Sequence, residues 1–480
     1  GNGARKTPQA FHMKWGEKTV DRLYFVGIGG IGMSGLARYA QQLGLDVAGY
    51  DKTQTALTNE LEKEGISIGF EENLDHFNRW FDPRGRERTG IVRTPAVPKN
   101  HPLFDRIAEL ALPALKRSEM LGAIAQSFET FAVAGTHGKT TTTAMLTHLL
   151  ADTPGGCNAF LGGVLASTGS NVLLNAKSKR LVVEADEFDR SFLQLHPTHA
   201  VITSMDPDHL DVYGDEAGFK AGFETFGNQV TGQVIRESAL ASAETELTYG
   251  CASDRETAER LDYAASEPRI EGGWMVADIK MRDEWFNSVK FPMPGIHNLS
   301  NALAALSLAD LAGADRGDCM QSMGRFGGIH RRFAYRIRES HGTYIDDYAH
   351  HPKEISAVLE AVRLHHPKKS ITAIFQPHLY SRTRDHMTEF AEVLSQFDRV
   401  FLLPIYPARE KPIAGIDSQS LFENILGTSK HLTSIERIFD NLKEHPPEVL
   451  LTIGAGDIDR LVQPLSDWLQ EDSRRFKPFE

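Results

Sequence analysis

Gly135-Thr136-His137-Gly138-Lys139-Thr140 sets two glycines, a lysine and a threonine between a β-type run, Phe131-Ala132-Val133-Ala134, and a helical run, Thr141–Leu150. Such a loop wraps phosphate oxygens in backbone N–H groups. Its lysine neutralises β- and γ-oxygens, and its threonine hydroxyl can bind Mg2+. A general phosphate loop carries a further glycine five residues before the Gly-Lys-Thr; Val133 stands there, so this is a shortened variant. Gly135, Thr136, Gly138, Lys139, Thr140 and Thr141 are therefore the candidate phosphate-binding residues. Downstream, Leu181-Val182-Val183 runs into Glu184-Ala185-Asp186-Glu187. A carboxylate at a strand end beside a phosphate loop is the usual place for a magnesium ligand, which makes Glu184 the candidate; the alternative is a solvated acidic turn. Ala200–Thr203 reads as another strand leading to Asp206-Pro207-Asp208-His209-Leu210-Asp211. His209 is a candidate second metal ligand, set against a structural or surface histidine.

A second glycine loop lies nearer the start. Gly27-Ile28-Gly29-Gly30-Ile31-Gly32 follows the apolar run Leu23-Tyr24-Phe25-Val26 and precedes a helical pattern through Leu36, Tyr39, Ala40 and Leu43. Gly27, Gly29 and Gly32 fit Gly-x-Gly-x-x-Gly, and Gly30 adds a fourth small position, so a diphosphate can approach the helix N-terminus. Asp51, closing the run Val47–Asp51, could accept a ribose hydroxyl. The loop alone admits a dinucleotide (hence a dehydrogenase), a nucleotide-sugar diphosphate, or a glycine-rich turn with no ligand.

These loops need strands and helices in alternation, and the chain supplies them. A third block follows Gly324–Arg332, with strand candidates Thr343–Ile345, Ile371–Phe375, Val400–Leu403 and Val449–Ile453 and helical patterns between them. Alternation of this kind implies parallel sheets covered by helices. Linkers are expected near Lys116–Glu119 and Gly324–Ile329. A length of 480 residues suits about three domains. With 41% apolar and 24% charged residues the composition is that of a globular protein, and no fixed-period repeat is visible. No run of about 18 apolar residues occurs, which excludes a conventional membrane span, and no apolar stretch of signal-peptide length follows the early basic residues. Formal charge is 52 − 64 = −12, which disfavours nucleic acid or an anionic membrane as partner. Cys157, Cys251 and Cys319 are scattered and odd in number, which fits a reducing cytoplasm rather than a disulfide framework.

The chain resembles the Mur ligases, the ATP-dependent amide-forming enzymes of peptidoglycan precursor synthesis. Ala134–Thr142, Glu184–Glu187 and Asp208–Asp211 resemble the family's middle domain. Gly295-Ile296-His297-Asn298-Leu299-Ser300-Asn301-Ala302 is similar to its His-Asn-x-x-Asn segment, Arg331-Arg332-Phe333 to its Arg-Arg-Phe, and Asp346–Pro352 to the opening of its third domain. The matches run in order over nearly the whole chain. Gly27–Gly35 and Phe375–Arg384 point, within the family, to the member that joins L-alanine to UDP-N-acetylmuramate. The ligase that reattaches recycled tripeptide to the same nucleotide sugar is the alternative. Where later family members carry a carbamylated lysine, Phe223 falls here, with Lys220 three residues earlier. The first ligase also lacks that lysine.

The resemblance implies an α/β protein of three domains: a Rossmann-like UDP-sugar domain over 1–118, a central P-loop ATP-binding parallel sheet over 119–327, and a Rossmann-like amino-acid domain over 328–480. It implies ATP and Mg2+ as cofactors, small-molecule partners only, and a monomer or homodimer. ATP would phosphorylate the lactyl carboxylate, and the alanine amine would displace phosphate from the acyl phosphate. Gly27, Gly29, Gly30, Gly32 and Asp51 would bind the UDP-sugar. Thr140, Glu184 and His209 would hold Mg2+, with Lys139 and His209 serving catalysis. Asn298 would contact adenine with Asn301 in support, and Arg332 and Asp347 would engage ribose or phosphates. Tyr348, His350, His378 and Arg382 would form the amino-acid pocket, Arg382 as carboxylate anchor and His350 as proton acceptor. Read without the family, those histidines equally suit a hydrogen-bonded cluster at strand ends. The third domain is expected to close on the second and exclude water.

Overall fold

Leu23 to Val26 and the other short apolar runs lie in parallel strands buried on both faces, where near-continuous apolar sequence is what packing demands. The computed structural model describes residues 13–15, 18–83, 85, 88–208, 210–241, 246–408 and 410–477. They fall into two compact units, Gly1–Val164 with Thr168–Tyr249 and Ala304–Cys319, and Leu165–Ser167 with Gly250–Leu303 and Met320–Glu480.

The first unit holds a five-stranded parallel sheet ordered Ser67–Gly69, Asp46–Tyr50, Arg22–Val26, Thr89–Arg93, Ala114–Lys116. Strand order reverses beside Arg22–Val26, which opens a crevice at the strands' carboxyl ends, the usual ligand position in open α/β sheets. The first glycine loop fills the step from that strand to the helix Ile31–Gln42. The same unit contains parallel strands in the order Asn158–Phe160, Arg180–Ala185, Glu129–Ala134, His199–Ile202, Val234–Glu237, with Val172–Leu173 antiparallel on the outer edge. The phosphate loop links Glu129–Ala134 to the helix Lys139–Ala151.

These two sheets share one apolar core. It runs from Leu23, Phe25 and Met120 through Ala132 and Val183 to Phe219, Phe223 and Phe226. Lys116–Glu119 is consequently no linker, contrary to expectation: Ala114–Lys116 is a strand and Arg117–Ala125 a helix whose Met120, Leu121 and Ile124 enter that core. Asn171 fastens the edge of the second sheet to the first glycine helix. Its side-chain amide donates to the Ile31 carbonyl at 2.6 Å, and its own carbonyl accepts from Arg38 at 2.9 Å.

The second unit holds a six-stranded sheet ordered Ala334–Glu339, Gly342–Asp347, Val449–Ile453, Ile371–Phe375, Arg399–Leu402, Ser429–Leu432. All neighbours are parallel except the first pair. Four of these strands lie where the sequence places them, within two residues at each end. The edge strands Ala334–Glu339 and Ser429–Leu432 were not read from the sequence, nor were the hairpins joining Tyr263–Glu271, Trp274–Met281 and Glu284–Phe291. Gly324–Gly328 has no helix or strand, and Ile329 forms isolated bridges with Leu165 and Arg332.

Asn171 is buried, so Asn171→Ala should remove one of the two side-chain donors to the Ile31 carbonyl, the other being Ser34 Oγ at 2.9 Å, together with the acceptor of Arg38. The expected cost is about 1–3 kcal/mol, read as a fall in the urea midpoint of the full chain. An unchanged midpoint would show that the tie adds nothing to stability.

Candidate nucleotide and amino-acid sites

The phosphate loop begins with Gly135 at φ +138° and ends with Gly138 at φ +81°, the N-cap of the helix Lys139–Ala151. The left-handed backbone at Gly138 carries no Cβ penalty only because it is glycine. The strand His199–Ile202 and its continuation brace the loop. Ser204 Oγ accepts from His137 N at 2.9 Å, Thr203 Oγ1 donates to the His137 carbonyl at 2.6 Å, and Thr136 Oγ1 donates to the Asp206 carbonyl at 3.0 Å. His137 Nε2 lies 3.5 Å from Asp206. Neither Thr203 nor Ser204 had a motif to announce it.

Lys139 Nζ lies 2.6 Å from Glu187 Oε2 and donates to the Gly135 carbonyl at 2.6 Å. Burial opposes its charge, but Glu187, Asp186 and Glu184 outweigh burial and hold the ammonium above the ordinary lysine range. Glu187 was visible in the acidic segment, yet nothing in the sequence distinguished it from Glu184. Glu184 lies inside the strand Arg180–Ala185 rather than past its tip. Its carboxylate accepts from Gly162 N at 2.7 Å, and a Cβ at residue 162 would sit 2.6 Å from it, so only glycine admits this approach. Thr140 and Thr141, the next helix residues, are buried.

A hydroxyl at the helix start and a carboxylate at a strand end form an all-oxygen donor pair suited to a hard cation such as Mg2+. Among the described residues no cluster of three or more His, Cys, Asp or Glu forms a metal cage. His209, predicted as a ligand, lies outside the described residues. Phe223 packs at 5.2 Å against both Phe192 and Phe219, and Lys220 points outward to Glu216 at 2.8 Å with more than half its side chain exposed. Neither supplies a lysine for a metal site.

At the first loop, Asp51 lies one residue beyond the strand Asp46–Tyr50. Its carboxylate accepts from Gly29 N at 2.7 Å and from Thr53 N at 3.0 Å. A cavity of about 450 Å3 is lined by Gly27, Gly29, Gly30, Asp51, Thr94 and His101, among others. Gly32 does not line it; instead Arg117 packs along that glycine.

In the second unit, Asn298 is buried and donates to the Pro294 carbonyl at 2.8 Å, and Asn301 donates to Asn298 Oδ1 at 3.4 Å. The Arg331–Phe333 turn is tied to the strand Gly342–Asp347. Arg331 Nε donates to Asp346 at 3.0 Å and its Nη2 to the Gly454 carbonyl at 2.8 Å. Asp347 accepts from Phe333 N and Ala349 N, both at 2.7 Å. Arg332 lies 5.0 Å from the Tyr348 ring centre, a cation–π contact. Asp347 is thus engaged in shaping the turn. Burial pushes its pKa up to about 6, against the nearby Arg332 and the two amides.

Tyr348, His350, His378 and Arg382 come together as predicted. The Tyr348 and His350 rings are 5.5 Å apart and those of His350 and His378 6.0 Å. Arg382 Nη1 donates to His378 Nδ1 at 3.1 Å, so that nitrogen carries no proton. His350 Nδ1 faces the Tyr348 carbonyl at 3.1 Å and must donate there, which leaves Nε2 as the basic nitrogen. Burial lowers the pKa of His350 despite Glu354 nearby, keeping the imidazole neutral. Glu354 Oε2 also accepts from His350 N at 2.9 Å, a support the sequence did not announce.

Family models match the chain in three consecutive stretches: the Mur ligase family catalytic domain over residues 22–129, the Mur ligase middle domain over 133–309, and the Mur ligase glutamate ligase domain over 331–457. The chain belongs to the Mur ligase family. It is 44% identical over 456 residues to the UDP-N-acetylmuramate–L-alanine ligase of Flavobacterium psychrophilum, covering 94% of this chain and 99% of that one. The ligase of the same name from Christiangramia forsetii is also 44% identical, over 95% and 99% of the two chains. The crystal structure of the UDP-N-acetylmuramate-alanine ligase of Thermotoga maritima superposes with a TM-score of 0.78 at 28% identity, over 94% of this chain and 99% of that one. A murein peptide ligase from Psychrobacter arcticus shares the fold, with a TM-score of 0.67 at 22% identity.

The raised pKa of Asp347 has a consequence with a definite sign. Its folded value lies above the unfolded carboxyl value of about 3.9. The stability contributed by the protonated group is therefore full below about pH 4 and lost as pH rises through about 6. Relative to wild type, Asp347→Asn should gain on the order of 2 kcal/mol between about pH 4.5 and pH 7, measured from paired urea midpoints. A stability difference that stays constant with pH would contradict this.

Proposed function

We propose that this chain ligates L-alanine to the lactyl carboxylate of UDP-N-acetylmuramate at the expense of ATP, in the cytoplasmic synthesis of peptidoglycan precursor. The observation that carries the reading is the 44% identity to L-alanine ligases over 99% of their length. The gathered Tyr348–His350–His378–Arg382 cluster supports it. We assign residues 1–118 to the UDP-sugar, 119–327 to ATP and 328–480 to the amino acid.

A carboxylate does not react with an amine at neutral pH, because hydroxide is a poor leaving group. Transfer of the γ-phosphoryl group of ATP to a lactyl oxygen gives an acyl phosphate and ADP. The alanine amine then attacks the acyl carbon, phosphate departs with the C–O bond electrons, and the amine loses a proton. Lys139 and the amides of residues 135–140 offset the charge of the γ-phosphate against the incoming carboxylate. Mg2+ held through Thr140, Glu184 and His209 would supply further positive charge at those oxygens. Arg382 clamps the alanine carboxylate, and the unprotonated Nε2 of His350 takes the amine proton. Asn298, supported by Asn301, holds adenine, while Arg332 and Asp347 flank the ribose and phosphates.

Phosphate release should require UDP-N-acetylmuramate, ATP and L-alanine together. Release with the recycled tripeptide but not with L-alanine would move the assignment to the murein-recycling ligase. Lys139→Ala should lower kcat by at least ~100-fold. Arg382→Ala should raise the KM for alanine roughly 10- to 100-fold with little effect on the KM for UDP-sugar. Equal loss of both affinities would remove Arg382 from its role.

A further inference from the structure

We infer that Arg117 binds the diphosphate of the nucleotide sugar; this rests on the reading above. Arg117 is the first residue of the helix Arg117–Ala125. A cation there opposes the helix dipole, which favours anions at its N-terminus, so the position costs stability rather than adding to it. Its neighbour Lys116 is engaged: the Lys116 backbone N–H donates to Glu119 at 2.6 Å, and its Nζ lies 3.4 Å from Asp189. The Arg117 guanidinium makes no hydrogen bond among the described residues. Its nearest carboxylate oxygen, on Asp186, is 4.0 Å away, although only 22% of the side chain is exposed. A guanidinium one-fifth exposed and hydrogen-bonded to no group among the described residues keeps its N–H donors available to an anion that reaches it.

The position of the guanidinium names that anion. Arg117 lies along Gly32, the third glycine of the first loop: a Cβ there would be 3.1 Å from its Cδ and 3.3 Å from Nη1. Gly32 is the second residue of the helix Ile31–Gln42, whose first amides are the seat of a diphosphate. The 450 Å3 cavity beside Gly27, Gly29 and Gly30 does not include Gly32 or Arg117. A uridine in the cavity therefore sends its diphosphate across the helix start towards the guanidinium. Arg117 Nη2 also lies 4.0 Å from Asp186, in the acidic segment that holds Glu184 and Glu187. The sugar end of the substrate is thereby led toward the phosphate loop. A planar guanidinium suits this task because two of its N–H groups can engage two phosphate oxygens at once.

Calorimetric titration of the full chain with UDP, with UDP-N-acetylmuramate and with a nonhydrolysable ATP analogue tests the assignment. Arg117→Gln should weaken UDP and UDP-N-acetylmuramate alike, by about 10- to 100-fold. Arg117→Lys should recover part of the loss, and the ATP analogue should bind as in wild type. Weakening of UDP-N-acetylmuramate with UDP unaffected would transfer Arg117 to the lactyl carboxylate and overturn the inference. Weakening of all three ligands together, or of none, would overturn it as well. A wild-type chain that binds no UDP would instead sink the functional reading on which the inference rests.

Discussion

The Lys139 ammonium is held between the Gly135 carbonyl and the Glu187 carboxylate, with Asp186 and Glu184 close enough to keep it charged. Much of the first unit can be read from that charge. A lysine able to neutralise a γ-phosphate must remain protonated in a buried place, and burial alone would strip its proton. The acidic end of the strand Arg180–Ala185 meets this requirement, and the parallel pairing of that strand with Glu129–Ala134 brings the two together. The same strand carries Glu184, whose carboxylate accepts from Gly162 N at 2.7 Å. If the phosphate proposed for Lys139 binds there, it would take the place that Glu187 holds at 2.6 Å, and the ammonium would keep an anionic partner.

Neutrality matters as much at the other cluster. Arg382 donates to His378, and His350 donates to a backbone carbonyl, so each imidazole is fixed in one tautomer by a group that can play only one part. Burial keeps His350 unprotonated. An amine must lose a proton before it can form an amide, and a neutral imidazole with its free lone pair on Nε2 suits that need. The supporting contacts come from residues with no chemistry of their own in the reaction: Glu354 on the His350 backbone, and the Arg331–Asp346 pair beneath Tyr348.

Strands buried along their whole length were legible because burial on both faces demands a nearly continuous apolar sequence; Arg22–Val26, Ile371–Phe375 and Val449–Ile453 are examples, each with one polar residue. The glycine loops were legible because phosphate contact demands small residues at fixed spacing. The hairpins over 263–291 were not: Tyr263–Glu271 and Glu284–Phe291 lose burial over much of their length, and the buried strand Trp274–Met281 is interrupted by the charged Asp278 and Lys280. Lys116–Glu119 misled because two cations beside Ser118 read as a polar linker, whereas the apolar face of Met120, Leu121 and Ile124 carries the helix into the shared core. Thr203, Ser204 and Gly162 act through hydrogen bonds to partners far away in sequence, which local pattern does not encode, whereas Glu354, four residues from His350, carries no motif that marks its role.

The account stands on phosphoryl transfer to the lactyl carboxylate before any amide bond forms. The direct measurement is to supply UDP-N-acetylmuramate labelled with 18O in that carboxylate, together with ATP and L-alanine, and to weigh the phosphate released. Transfer through an acyl phosphate predicts one 18O atom in each phosphate formed from doubly labelled substrate. Phosphate free of label would contradict it, because the oxygen would then have come from water and the carboxylate would never have been activated.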